Sequence, residues 1–240
     1  MLLFYVRHGD PIYDPDSLTE LGKEQARALA KRFATYGLDE IYSSTSNRAM
    51  MTAEPTCNLL KKEMKLCDFA NEAHAFGEFT VKTSAGITNW AFHDRDTMIK
   101  FTSSEVLALG DEWYKHPCFE GAKFEAGIKR VNAAVDEFLL GLGYKHNRDS
   151  HSYEIVKHNE KRVALFAHQG FGVAFLSSVL DIPYPLAARL DMSHSSMTVI
   201  NFSGGWGNVC VPKILQLSND SHLYREGIIT GYCNNSSLKF

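Results

Sequence analysis

Two histidines occupy matching places in two apolar runs far apart in the chain, Phe4-Tyr5-Val6-Arg7-His8-Gly9 and Leu165-Phe166-Ala167-His168-Gln169-Gly170. Taken singly, each is ordinarily the point where a buried strand leaves the core and polar residues return. Taken together, and if both strands lie in one parallel sheet, the imidazoles open into one crevice at its carboxyl edge, where open α/β sheets hold ligands. A neutral imidazole is a competent nucleophile at neutral pH, its unperturbed pKa being about 6.5. Arg7 and Arg48 add planar, permanently charged donors matched to phosphate oxygens. Arg48 follows the polar turn Ser44-Thr45-Ser46-Asn47 at the amino end of a helix, which also favours an anion; a capped surface helix with a solvated arginine is the plainer reading of that turn. This set suits displacement at phosphorus, in which a neutral imidazole attacks while cations and a further donor offset the charge that spreads in the transition state. The attacking ring must have its second nitrogen tied as a donor to a backbone carbonyl, so that the attacking nitrogen keeps its lone pair. The chemistry requires no metal and no cofactor.

Positioning these groups takes strands and helices in alternation. Residues 1–6 form an apolar run bounded by Gly9 and Pro11, and a helix follows Thr19 with Leu21, Ala26, Leu29, Ala30 and Phe33, closed by Gly37. Strands are predicted over 38–43 and 65–69, with a helix from about 48 to 62 between them, the alternation of crossover units that build a parallel sheet. Residues 10–17 read as a loop, with Asp10, Asp14 and Asp16 as turn residues rather than metal ligands. The stretch from about 72 to 121 breaks the rhythm with aromatics at no regular period and is predicted to be an inserted cap. A helix over 122–142, a loop or hairpin over 144–161, a strand over 162–167 and a helix over 173–180 follow. Residues 197–202 and 209–217 are predicted to pair as a hairpin across Gly204-Gly205. The expected architecture is a three-layer α/β sandwich, a single domain over 1–240 with a mainly parallel central sheet and the cap inserted.

Composition removes several classes of function. With 240 residues, 45% hydrophobic and 22% charged, the chain can bury a sizeable core, and its net charge of −3 gives no electrostatic footprint for nucleic acid or an anionic membrane. No run of about 18 apolar residues occurs. Cys57, Cys67, Cys118, Cys210 and Cys233 are scattered and odd in number, which reads as reduced thiols in a cytoplasmic protein.

VRHGD at the first strand, SxxxRAxxTA around Arg48, the NEAHAFG segment and AHQG at His168, in that order, resemble the histidine phosphatase superfamily, also called the phosphoglycerate mutase-like fold. The resemblance runs from Met1 to about Phe202. It implies that His8 is the nucleophile, that Arg7, Arg48 and His168 clamp the phosphoryl group, and that an acid near the cap serves the leaving oxygen. Glu72 fits the form of that acid, although one extra residue separates it from Phe76-Gly77 compared with the usual spacing; Glu78 is the alternative. An acid in this role needs a raised pKa.

The implied activity is metal-independent hydrolysis of a small phosphorylated metabolite through a phosphohistidine. A cofactor-dependent phosphoglycerate mutase is the rival enzyme, and a non-catalytic phosphate-binding module the rival of another class. Against the mutase, PIYDPDSLTELG stands where that branch has a segment with tryptophan and asparagine, and the paired arginines of its cap are missing. His194 and Ser195 could line the crevice or form an interior polar turn. Lys82, Arg95 and Lys100 could meet a second anion or be simply solvated, the cap aromatics could face a ring-containing leaving group or one another, and a homodimer is left open.

Overall fold

The computed structural model describes residues 1–205 and 207–230. Strand β1 (Leu2–Arg7) leads into a short hairpin, β2 (Pro11–Tyr13) and β3 (Asp16–Leu18), followed by α1 (Glu20–Tyr36), β4 (Glu40–Ser44), α2 (Asn47–Leu60) and β5 (Met64–Cys67). Then come α3 (Glu72–Glu78), the hairpin β6 (Thr80–Lys82) and β7 (Thr88–Trp90), α4 (Arg95–Phe101), α5 (Ser104–Leu107) and two short 3₁₀ turns. The chain continues through α6 (Phe124–Gly141), the hairpin β8 (Tyr144–Asn147) and β9 (Ser152–Ile155), β10 (Arg162–Ala167), α7 (Gln169–Leu180) and α8 (Tyr184–Ala187). It ends in β11 (Met197–Asn201), β12 (Val209–Cys210), β13 (Lys213–Asn219) and α9 (Ser221–Arg225).

Six strands form the central sheet in the order β13-β11-β1-β10-β4-β5. The pairs β1–β10, β10–β4 and β4–β5 are parallel, and β11 runs antiparallel to both of its neighbours. Alternate residues of β1 and β10 enter two separate cores, which is why both strands read as unbroken apolar runs. Phe4, Val6, Ala164 and Phe166 pack against Leu29 and Phe33 of α1 and Ala53 and Cys57 of α2. Leu3, Tyr5, Leu165 and Ala167 face the opposite way, into the core that holds α6 and α7. The result is a three-layer α/β sandwich. Helix α1 starts where Thr19 accepts the Gly22 N–H at 3.0 Å and stops where Gly37 donates back to Phe33 O.

The region from α3 to α6 owes its cohesion to aromatic packing. Phe79 stacks on Tyr184 at 4.7 Å, Trp113 lies 5.0 Å from Phe124, and Phe101 lies 5.3 Å from both Trp113 and Phe119. These rings show no sequence period because they come from six separate stretches of the chain. Elsewhere β8 and β9 are pinned by His146, whose ring nitrogens bond Asp136 of α6 at 2.8 Å and Asp181, just past α7, at 2.7 Å. Arg148 joins both carboxylates.

Two expectations change. Residues 10–17 are a paired hairpin rather than an open loop, Pro11 lying opposite Leu18 and Tyr13 opposite Asp16. The predicted strand over 209–217 is two strands: β12 joins β9, while β13 joins β11. Pro212 stands between them, lacks the N–H a ladder needs, and lets the chain change sheets. Cys57, Cys67, Cys118 and Cys210 are free thiols, and Cys233 lies outside the described residues.

Candidate active site

The register of the parallel pair brings the histidines together. Arg7 lies opposite Ala167, and the His8 N–H donates to Ala167 O at 2.9 Å, so His8 and His168 leave neighbouring strands side by side, their ring centroids 5.2 Å apart. The backbone turns sharply after His8. A Cβ on Gly9 would come within 2.7 Å of the Gly22 carbonyl oxygen of α1, so a side chain at that position would push the helix away.

His8 is buried, and its Nδ1 meets Gly9 O at 2.7 Å. A carbonyl oxygen can only accept, so Nδ1 carries the proton and Nε2 the lone pair. Burial, followed by the nearby His168 and Arg7, pushes the His8 pKa well below the ordinary histidine value and keeps the ring neutral. His168 is fully buried; its Nε2 lies 2.9 Å from Ser44 Oγ and 3.1 Å from Ser46 Oγ, and burial with Arg48 and Arg7 lowers its pKa too.

Arg7 is held by donation to Met192 O and to His194 Nε2, the latter at 2.7 Å. Arg48 projects from the first turn of α2 and pairs with Asp16 Oδ1 at 2.8 Å beneath the Tyr13 ring. Asp16 also accepts the Asn47 N–H at 2.8 Å, so it orients the start of α2 as well as its arginine, beyond the turn chemistry expected of it. Three nitrogen atoms of this group, Arg7 Nε, Arg48 Nε and His168 Nδ1, are buried with no hydrogen-bond partner among the described residues. Donors left in that condition are costly unless an acceptor reaches them. Converging guanidinium and imidazole groups suit a phosphate dianion.

Glu72 opens α3 and aims at the amino end of α7, accepting the Gly170 N–H at 2.9 Å and the Phe171 N–H at 2.8 Å. Burial raises its pKa above the usual carboxylate value, while those two N–H groups and the arginines hold back the rise. Glu78 is placed otherwise. Six residues on, about 9 Å along the helix axis, it accepts Arg130 Nε and Nη2, both at 2.7 Å.

His8, Arg7, Arg48 and Glu72 line one cavity of about 820 Å³, with His168 behind His8, whereas Glu78 is not among the lining residues. Trp90, Phe76 and Phe92 form its outer wall. The His194 ring lies 5.4 Å from that of His8, tilted by 32°, and burial lowers its pKa to about 4. It acts as acceptor for Arg7, a pairing with no sequence signal because it spans 187 residues. Lys82 and Lys100 line a separate cavity of about 460 Å³, and Arg95 lines neither.

A conserved-family profile, the histidine phosphatase superfamily (branch 1), matches residues 3–211, and the chain belongs to that superfamily. A curated relative, "Putative phosphoserine phosphatase 2" of Hydrogenobacter thermophilus, is 28% identical over 146 residues, spanning 56% of this chain and 65% of the relative's length. Among solved structures, phosphoserine phosphatase of Entamoeba histolytica in complex with phosphoserine superposes with a TM-score of 0.59 at 17% identity, covering 92% of this chain and 98% of its own. Mycobacterial glucosyl-3-phosphoglycerate phosphatase gives 0.58 at 20% identity, covering 90% and 98%. These structural likenesses establish the shared fold.

Proposed function

We propose that the protein hydrolyses the phosphate monoester of a small metabolite through a phosphohistidine on His8. The observation that carries this reading is the His8 ring itself: Nδ1–H fixed on Gly9 O, Nε2 with its lone pair, and a pKa held low by burial among cations. The Nε2 lone pair attacks phosphorus as the bond to the ester oxygen breaks, and the Glu72 carboxylic acid passes its proton to that oxygen. Water then attacks the phosphohistidine, Glu72 takes one of its protons, and the P–N electron pair returns to Nε2. Arg7, Arg48 and His168 offset the charge that spreads over the equatorial oxygens. The phosphatase names of the relatives support hydrolysis over isomerisation. The engagement of Glu78 by Arg130 supports Glu72 as the acid.

In this reading residues 72–121 are a cap within a single domain, and the reaction takes place in the cytoplasm. Among the described residues no helix is long and apolar enough to cross a membrane. Rapid acid-free quenching after mixing with an aryl phosphate should trap phosphate on His8, with inorganic phosphate released at the same steady rate in excess chelator. Release without any phosphoenzyme, or interconversion of phosphoglycerate isomers with no release, would overturn the proposal.

A further inference from the structure

Beyond the reacting centre, the cavity has a wall of flat rings and no spare positive charge. Trp90 meets Phe76 edge-on at 5.2 Å and stacks on Phe92 at 5.2 Å. Phe76 is 44% exposed, a large aromatic at the rim of a cavity rather than in a core. Among the described lining residues the cations are Arg7 and Arg48, both already placed around the phosphoryl position, with His8 and His93 as the remaining basic side chains. Burial, with Asp191 opposing, keeps the His93 pKa below its ordinary value, which favours the neutral ring. The lining amides are engaged: Asn71 Nδ2 donates to Thr45 Oγ1 at 2.8 Å, Asn47 Nδ2 to Asp16 O at 2.6 Å, and Gln169 Nε2 to Asp191.

A carboxylate carried by the leaving group would therefore lose hydration in this space with no spare cation to pair with it, whereas a planar ring would meet Phe76 and Trp90. We infer that the cavity selects phosphate monoesters whose leaving group is an uncharged aromatic ring, with Phe76 and Trp90 as the residues that select it. This inference rests on the phosphatase reading and names the class of substrate it leaves open. It separates this chain from the relatives named for phosphoserine and glucosyl-3-phosphoglycerate, both of which bear a carboxylate.

The test compares benzyl phosphate with phosphoserine, both esters of primary alcohols, so that the chemical step is alike and the ring and the carboxylate differ. kcat/KM should favour benzyl phosphate by about tenfold or more. Phe76→Ala, at a half-exposed position, should bring that ratio towards one mainly by raising KM for benzyl phosphate, and Phe76→Lys should reverse it. A preference for phosphoserine, or a ratio unmoved by Phe76→Ala and Trp90→Leu alike, would overturn the inference and leave the phosphatase reading standing. Calorimetry on the wild-type protein with 2-phenylethylphosphonate and 2-amino-4-phosphonobutyrate, in which CH2 replaces the ester oxygen of each substrate, reads selectivity without turnover. Tighter binding of 2-phenylethylphosphonate with no hydrolysis of any ester would sustain the selectivity and reject hydrolysis. Tighter binding of the amino acid phosphonate would reject the selectivity.

Discussion

The side chains of His8 and His146 are both almost completely buried, yet the fold shifts their pKa values in opposite directions. Around His8 the neighbours are His168, Arg7 and Arg48, and every one of them joins burial in disfavouring the proton. Around His146 burial again disfavours the proton, but hydrogen bonds to Asp136 and Asp181 outweigh it and the pKa rises. Burial alone therefore does not decide protonation; the sign of the surrounding charges does. A neutral imidazole among cations retains a lone pair for chemistry, while an imidazole between two carboxylates, its protonated form favoured, is a clamp joining α6, α7 and the β8–β9 hairpin.

The largest effect that distinguishes these regions is on turnover. His8→Ala removes the only atom proposed to bond phosphorus, so steady-state hydrolysis should fall by at least about 10⁴-fold, and the phosphoenzyme should vanish with it. Intact-mass measurement of a phosphoenzyme in that variant would place the nucleophile elsewhere.

Next in size is the contrast between the two ends of α3. Glu72→Gln should cost about 10²–10⁴-fold with an alkyl ester and less with an activated aryl ester, which needs no protonation of its leaving group. Phosphoenzyme should then accumulate, because its hydrolysis has lost the base. Glu78→Gln should instead lower the melting temperature by weakening the Arg130 pair, with no accumulation. Exchange of those two phenotypes would make Glu78 the acid.

His146→Leu sharpens the comparison from the other side. Loss of the bridge leaves two partly buried carboxylates sharing only Arg148, a cost of about 3 kcal/mol in denaturant unfolding, with kcat in the cold largely retained. The sign with pH is definite. Because the folded pKa of His146 is raised, its stabilisation is fully present below the unfolded value near 6.5 and is lost as pH rises through the folded value. The gap between wild type and variant should therefore narrow at alkaline pH; a gap that widens would mean a neutral His146.

The smallest effect is on the pH profile. His8 is neutral well below pH 6.5, so its protonation should not produce a fall in kcat/KM at mildly acidic pH. Glu72 must carry a proton in the first step, and its raised pKa places the decline on the alkaline side of that value. Glu72→Gln should abolish that decline, once the titration of the substrate phosphate is allowed for, and leave a lower, flatter profile.

What could be read from the residues alone was whatever is local. The strands ending in Arg7-His8 and in His168 announced themselves because their apolar runs are continuous, and Thr19 and Gly37 bounded α1 by their own chemistry. Pairings across long separations were silent. Asp16 gives no local sign that it will hold Arg48, 32 residues on. His194 gives none that it will receive Arg7, and the aromatics between 72 and 121 find one another only in three dimensions. Glu72 and Glu78 are alike in sequence for a related reason: both stand on one short helix, and what distinguishes them is which partner the fold brings to each, the amino end of α7 or Arg130. The path of 209–217 departs from a single strand because Pro212 interrupts it between β12 and β13.

The glycine after His168 and Gln169 carries a further meaning. A Cβ at Gly170 would lie against the ring of Trp90 at less than contact distance, so even alanine there would drive the indole from its place in the cavity wall. Glycine and alanine codons differ at one base. The width of the opening beside Trp90 thus lies one nucleotide change from being reset, at a position apart from β1 and α2, which carry Arg7, His8 and Arg48. For a lineage under pressure to take a different ester, position 170 is a short step through sequence space, taken on the residue whose N–H also holds Glu72.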